Sequence, residues 1–202
     1  PNDVIIEILE NIAPILPEYM EVHLFGAARL ESDNLFNQLG VTSFDSTTYL
    51  RQAWMSAKNN YFAKDGNKYT AIRVPQATES SPKIKKLLAK GLGTIELFKK
   101  LEQKSLDTLR LFDRGLTGIE ETLETILKYD NLFQDKVNKN EELYRRVLEE
   151  KPWKKCGCEI CTGVGVEVII FRGNNRNRRR GFHNTHVFYQ KFKSNQKDRL
   201  KI

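Results

Sequence analysis

At 202 residues, with 40% hydrophobic and 29% charged side chains, the chain is long enough to bury a sizeable core and is globular in composition. It has no run of about 18 apolar residues and its opening lacks the basic, apolar and small-residue blocks of a secretion signal, which argues against a membrane partner and predicts a cytoplasmic location. The formal net charge is +7, yet residues 172–201 hold ten Lys or Arg against one Asp, so the basicity is local and the remainder is slightly negative.

The first residues already carry helical spacing, with Val4, Ile5, Ile8, Leu9 and Ile12 on one face, so the text reads as opening inside a helix and as a fragment of a longer protein. Pro14 and Pro17 end that helix. Glu21 to Gly26 then reads as a short strand closed by glycine, with His23 expected as a hydrogen-bonded core residue. A helix bearing Leu35, Phe36 and Leu39 stops at Gly40, and Val41 to Phe44 forms a second strand ending at Asp45. Helix, strand, helix, strand is the grammar of an α/β protein with parallel strands. Ser46 to Ala57 is compatible with a helix, and Asn59 to Pro75 with a hairpin turning at Lys64–Asn67.

After Ser80-Ser81-Pro82 the chain is mostly helical. Helices are predicted over 84–90, over 94–114 with Ile95, Phe98, Leu101, Leu109 and Phe112 on one stripe, over a segment through Leu127 entered by a Thr117/Glu120 capping box, and over 141–150. They read as structural, the alternative being a face that docks a partner or nucleic acid. Val166 to Phe171 has the β-branched density of a strand. Asn174 to Arg180 is too polar and charged for a core, and a terminal helix from Gly181 is expected to return Phe182, Val187, Phe188, Tyr189 and Phe192 to the body.

Cys156, Cys158 and Cys161 are the chain's three cysteines and fall within six residues, with His183 and His186 following. Adjacent sulfurs are badly placed to bridge each other, whereas a C-x-C-x2-C cluster plus a distant histidine supplies the four thiolate and imidazole ligands of a closed structural zinc site. On spacing alone either histidine serves as the fourth ligand. A redox pair at Cys158 and Cys161 is the rival reading, without a thioredoxin-like context around it.

Asp45 at a strand end, followed by Ser46, Thr47 and Thr48, has the pattern of an N-cap or turn residue. Its functional alternative rests on position, because strand C-termini carry the catalytic groups of α/β barrels. Gly26 would let a flat ligand approach the backbone, and Asp45 could attack an electron-poor carbon. Arg51, six residues on, is either a phosphate contact or an exposed arginine without a role. A one-sided cluster formed by Arg172, Arg176, Arg178, Arg179 and Arg180 beside a metal site suits a phosphate backbone, since guanidinium groups pair with phosphate in a planar fork.

Together these residues resemble the guanine transglycosylase superfamily. Leu24-Phe25-Gly26-Ala27-Ala28 is similar to its L-M-G-V-G strand end, Phe44-Asp45-Ser46 to its F-D-[CS] nucleophile motif, Arg51 to its first tRNA-contacting arginine, and the cysteines with His183-Asn184 to its C-x-C-x2-C and H-N zinc motif. The proline after the nucleophile and the second arginine are absent, Trp54 standing at the latter site, and the helical section before the cysteines is long. The runs Phe44–Trp54, Phe171-Arg172-Gly173 and Arg178–Asn184 look most like the DNA-modifying branch.

The resemblance implies an α/β fold, the C-terminal portion of a (β/α)8 TIM barrel. Residues 1–80 would form its last two strand-helix units, 81–150 a helical insertion, and 151–202 a basic zinc-binding subdomain. It implies replacement of guanine in nucleic acid, DNA rather than tRNA, by a 7-deazaguanine such as preQ0. Asp45 would be the nucleophile, Phe25 and Gly26 would hold the base, and Zn2+ would sit on Cys156, Cys158, Cys161 and His183. The family's base-reading aspartates and general acid/base lie on strands outside this chain, so the chain alone should be inactive. Relatives dimerise through the zinc region, which makes a homodimer a further expected partner. A tRNA-modifying enzyme and a non-catalytic zinc-containing nucleic-acid-binding subunit are the alternatives.

Overall fold

The computed structural model describes residues 2–27 and 33–199 of the chain; Ala28, from the glycine-containing strand end, and Lys201, from the basic segment, lie outside them. The fold is mixed α/β and mostly helical, and it divides into two compact units. One is built from residues 1–49 with 189–202, the other from 50–188.

In the first unit, α1 (Asn2–Ile12) is followed by β1 (Val22–Leu24), α2 (Asp33–Gln38) and β2 (Val41–Phe44). β1 and β2 are parallel neighbours, with Val22 opposite Val41 and Leu24 opposite Phe44. Leu9, Phe36 and Val41 make a small core, flanked by Ile5, Ile6, Ile12, Val22, Leu24 and Leu39. The expected helix–strand–helix–strand order is therefore present. His23 departs from expectation: its neighbours Val22 and Leu24 point inward, so the two-residue period of the strand turns the imidazole out, where it is exposed.

The second unit begins within α3 (Thr48–Met55) and continues through a hairpin of β3 (Tyr61–Phe62) and β4 (Lys68–Tyr69), closed at the predicted turn by Asp65, which accepts from the Asn67 N–H at 2.9 Å. β5 (Ile72–Arg73) pairs in parallel with the much later β6 (Ile170–Phe171). Between them run α4 (Pro82–Ala89), α5 (Ile95–Asp113), α6 (Ile119–Asp130) and α7 (Glu141–Glu150), then the short α8 (Pro152–Lys155) and α9 (Glu159–Val164). Thr94 caps α5 by accepting from the Leu97 N–H, and the apolar stripe read from sequence is buried at Phe98, Leu109 and Phe112. These helices share one core with the hairpin and all three cysteines.

Four expectations are corrected. The Thr117/Glu120 capping box does not form: Gly118 is the N-cap of α6, Thr117 Oγ1 donates to Glu121 instead, and Glu120 pairs with Arg145 on α7. Most of the predicted 166–171 strand is a 3-10 helix, Gly165–Ile169, whose Val166, Val168 and Ile169 are all buried. With Val166, Val168 and Ile169 buried on both sides of a half-buried Glu167, so short a run has no periodicity to tell the two apart. The last helix, α10 (Gly173–Arg199), starts eight residues before Gly181 and takes in the arginine-rich segment. On it Val187 is buried but Phe182 is 57% exposed, so the latter does not return to the core.

Candidate active site and metal centre

The parallel pairing of β1 with β2 places the ends of the two strands together. Asp45 N–H donates to the Leu24 carbonyl at 3.2 Å, continuing the ladder, and the Gly26 N–H donates to Asp45 Oδ1 at 2.6 Å. Gly26 has φ +68°, a left-handed conformation that favours glycine, and a Cβ at this point would meet no atom of the described residues within 4 Å. Among the described residues the space over the Gly26 backbone is open. Asp45 is exposed, and among the described residues its Oδ2 accepts no hydrogen bond. The side chain that accepts an N–H at the start of α3 is Ser46, from Thr48 at 3.1 Å, so the capping role open to Asp45 on sequence falls to its neighbour.

Phe25 is 84% exposed and stands edge-on to His23, with ring centroids 4.6 Å apart. His23 is in turn fixed by Ser43 Oγ, 2.8 Å from its Nδ1. Among the described residues, the result is a carboxylate with one oxygen held and the other without a partner, an uncovered stretch of backbone and an aromatic ring at one strand end. Such a set can position a planar ligand beside a nucleophile. Arg51 lies on α3 and is exposed.

In the second unit Cys156, Cys158, Cys161 and His183 converge, all buried, with one donor atom from each within 4.8 Å of the others. Two short helices and the long last one bring them in: Cys156 follows α8, Cys158 is the N-cap of α9 and accepts from the Cys161 N–H, and His183 projects from α10. His183 Nδ1 lies 3.7 Å from Cys156 Sγ, 3.5 Å from Cys158 Sγ and 3.4 Å from Cys161 Sγ. Nε2 is 2.7 Å from the Phe62 carbonyl, to which it donates, so the lone pair of Nδ1 is left as the ligand atom turned to the sulfurs. His186 is outside the cluster.

Electrostatics favour positive charge at this point. Burial opposes a charged His183, but its contacts with Cys156, Cys158 and the Phe62 carbonyl outweigh that and raise it to about 9. A hydrogen bond from Cys161 holds Cys156 down at about 3, while the Cys161 thiol, giving that proton and buried, is pushed up. Burial acts against ionisation of Cys158 as well, but His183 and the Cys161 N–H bring it below the usual thiol range. The four residues could hold a metal ion, and the arrangement suits a cation better than a redox pair of two sulfurs.

The surroundings of the cluster were not read from sequence. The Tyr61 ring stacks on His183 with centroids 4.1 Å apart, and its hydroxyl lies 3.4 Å from Cys161 Sγ. Asn184 clamps the hairpin edge, accepting from the Phe62 N–H at 3.1 Å and donating to the Asn60 carbonyl at 3.0 Å. An asparagine beside a candidate ligand, together with a predicted hairpin rich in aromatics, was the available signal.

The arginine cluster is dispersed among different tasks. Arg172 pairs with buried Glu102, and Arg176 with Glu167 at 2.5 Å; their side chains are 19% and 18% exposed. Burial works against a charged Glu167, but Arg176 and Arg110 outweigh it and lower its pKa. Arg180 corrects the expectation of a phosphate contact outright. It is fully buried, and donates to the carbonyls of Ala53, Val168 and Ile170 and to Asn177 Oδ1. Burial without a paired carboxylate lowers its pKa to about 9. Arg178 and Arg179 are exposed and form no ion pair among the described residues.

No family profile matches the chain. Over 189 residues it is 43% identical to a DNA-guanine transglycosylase of Salmonella montevideo, an alignment covering 93% of this chain and 45% of that protein. The chain thus spans about half the length of the curated relative it matches.

Proposed function

Because the chain belongs to the guanine transglycosylase family, we propose that it carries the nucleophile of an enzyme that exchanges guanine in DNA for a 7-deazaguanine base such as preQ0. The observation that carries the reading is the Gly26 N–H donating to Asp45 Oδ1 at the joined ends of β1 and β2. Oδ2 attacks C1′ of the target nucleoside, the C1′–N9 bond breaks with its electron pair going to guanine, and a glycosyl ester forms on Asp45. The incoming base then attacks C1′ through its own N9 and releases the carboxylate. Two inversions give net retention, as in retaining glycosidases, and the proton that guanine gains balances the one the new base loses. Exposed Phe25 and the open backbone at Gly26 hold the exchanging base. The β1–α2–β2 unit supports a pair of consecutive strands in a (β/α)8 barrel, the remaining strands being supplied by sequence beyond this chain.

The metal of this reading is zinc, held by Cys156, Cys158, Cys161 and His183. A tetrahedral ion with Zn–S about 2.3 Å and Zn–N about 2.1 Å separates sulfur from nitrogen by about 3.6 Å, and the three distances to Nδ1 run from 3.4 to 3.7 Å. With all four positions filled by protein, a bound zinc would tie α8, α9 and α10 together and would supply no activated water. Arg178, Arg179 and Arg51 remain as phosphate contacts.

In the complete protein, Asp45→Asn should abolish guanine release and the covalent adduct trapped on DNA, with binding retained. Exchange surviving in that variant refutes the nucleophile, and exchange on tRNA but not DNA moves the substrate to the other branch.

A further inference from the structure

Within the second unit an open cavity of about 460 Å³ is lined by Trp54, Phe171, Asn174, Asn177 and Arg178. Two aromatic rings, two amides and an exposed guanidinium are a chemical match for a nucleotide. The indole of Trp54 offers π surface to a base, the amides donors and acceptors to its edge, and the guanidinium a fork to its phosphate, while the Phe171 ring, which already carries the Arg180 and Arg73 guanidiniums at 5.1 and 5.8 Å from its centroid, adds an apolar wall. No carboxylate lines the cavity.

The walls are built rather than incidental. A Cβ on Gly181 would lie 2.8 Å from Leu50 Cδ1, 2.9 Å from the Leu50 carbonyl oxygen and 3.1 Å from Trp54 Cζ3, so the glycine lets α10 press directly against α3 and seat the indole. Arg180 fixes the other side. Its Nε and Nη2 both donate to the Ala53 carbonyl, next to Trp54, and its guanidinium carbon lies over the Phe171 ring, 5.1 Å from the centroid. Nη2 also donates to Asn177 Oδ1 at 2.6 Å, so the group Asn177 has to offer a ligand is its amide NH2.

We propose that this cleft takes an unpaired nucleobase of the DNA strand stacked on Trp54, with Phe171 as an apolar wall and the adjoining phosphate on Arg178. The inference rests on the nucleic-acid reading above and adds to it a second, non-reacting base site, for which a duplex must release a nucleotide from its stack. Arg180 is a positioning residue in it, holding the aromatic walls without touching the ligand.

The test uses the complete protein carrying Asp45→Asn, so that binding is read without turnover, and a single-stranded oligonucleotide with 5-bromouracil placed at each position in turn. Irradiation should cross-link one position to Trp54, identified by mass spectrometry. Trp54→Leu, which keeps apolar bulk against Gly181, should weaken binding about 5- to 150-fold, Trp54→Phe should restore most of it, and Arg178→Gln should lower the salt slope by about 0.7. Cross-links that never fall on Trp54, or a Trp54→Leu variant binding as tightly as its parent, overturn the proposal while leaving base exchange by the Asp45 protein standing. A protein that binds and cross-links at Trp54 but, with Asp45 restored, never releases guanine overturns the proposed reaction and leaves the cleft.

Discussion

Arg180 offers the sharpest test of how the basic segment is used. Replacing it with Met takes the guanidinium from four acceptors, the carbonyls of Ala53, Val168 and Ile170 and the amide oxygen of Asn177. At about 2 kcal/mol for each acceptor that loses its charged donor, with the doubly bonded Ala53 carbonyl counted once, the gross loss is roughly 8 kcal/mol. Against this stands relief from burying a lone charge. Burial brings the group from the usual guanidinium range down to about 9, and at about 1.4 kcal/mol per pH unit that relief is on the order of 5 kcal/mol. The difference, about 3 kcal/mol, should lower the melting temperature by about 6–12 °C in a domain of this size. Thermal denaturation of Arg180→Met beside the parent measures it, and the salt slope of DNA binding measured at a temperature where both are folded should not change. A melting temperature within about 2 °C of the parent, joined to a flatter salt dependence, would show that this arginine meets phosphate after all.

Two further outcomes follow from the second unit. Exhaustive chelation should remove one metal ion per chain and loosen the packing of α8, α9 and α10, since ligand binding of this kind contributes on the order of 10 kcal/mol to folding at neutral pH; an unchanged melt after verified metal loss contradicts the structural role. Asp113 accepts from Trp153 Nε1 at 2.7 Å, from the Val166 N–H at 3.3 Å and from Lys154 Nζ at 3.0 Å, and although burial opposes ionisation these partners outweigh it and lower its pKa. A carboxylate lowered on folding contributes stability above its unfolded pKa near 4 and loses it as pH falls through the folded value. Asp113→Asn should therefore cost about 1 kcal/mol at pH 7 and lose less than the parent between pH 4 and pH 2, as read by urea denaturation at each pH. Parallel pH profiles would count against the assignment.

The parts of this structure that were legible in the sequence are those set by local rules. Gly40 after Leu39, the Lys64–Asn67 turn and the 141–150 helix announce themselves through cap and turn chemistry and through periodicity. The candidate metal ligands were legible because three cysteines within six residues are badly placed to bridge one another and match the ligand spacing of a metal site. What stayed hidden depends on partners far along the chain. The Val166–Ile169 run has no pattern to distinguish helix from strand once the residues on both sides of Glu167 are buried, and whether an arginine meets solvent or a carbonyl is settled by packing, as Arg178 and Arg180, two residues apart on one helix, make plain. His23 was misjudged because apolar neighbours were given more weight than strand alternation.

The Phe62 carbonyl closes on His183, 121 residues later, and the neighbouring edge groups of Asn60 and Phe62 wait as long for Asn184. During synthesis the hairpin must therefore stand with one unsatisfied edge until almost all of this sequence has emerged, and contacts of such separation are slow to close. An exposed strand edge invites pairing with other chains. If zinc is what holds His183 to the cysteines, overproduction in zinc-poor medium should divert the protein into aggregates before it affects a folded molecule, and metal supply would then govern yield as much as stability.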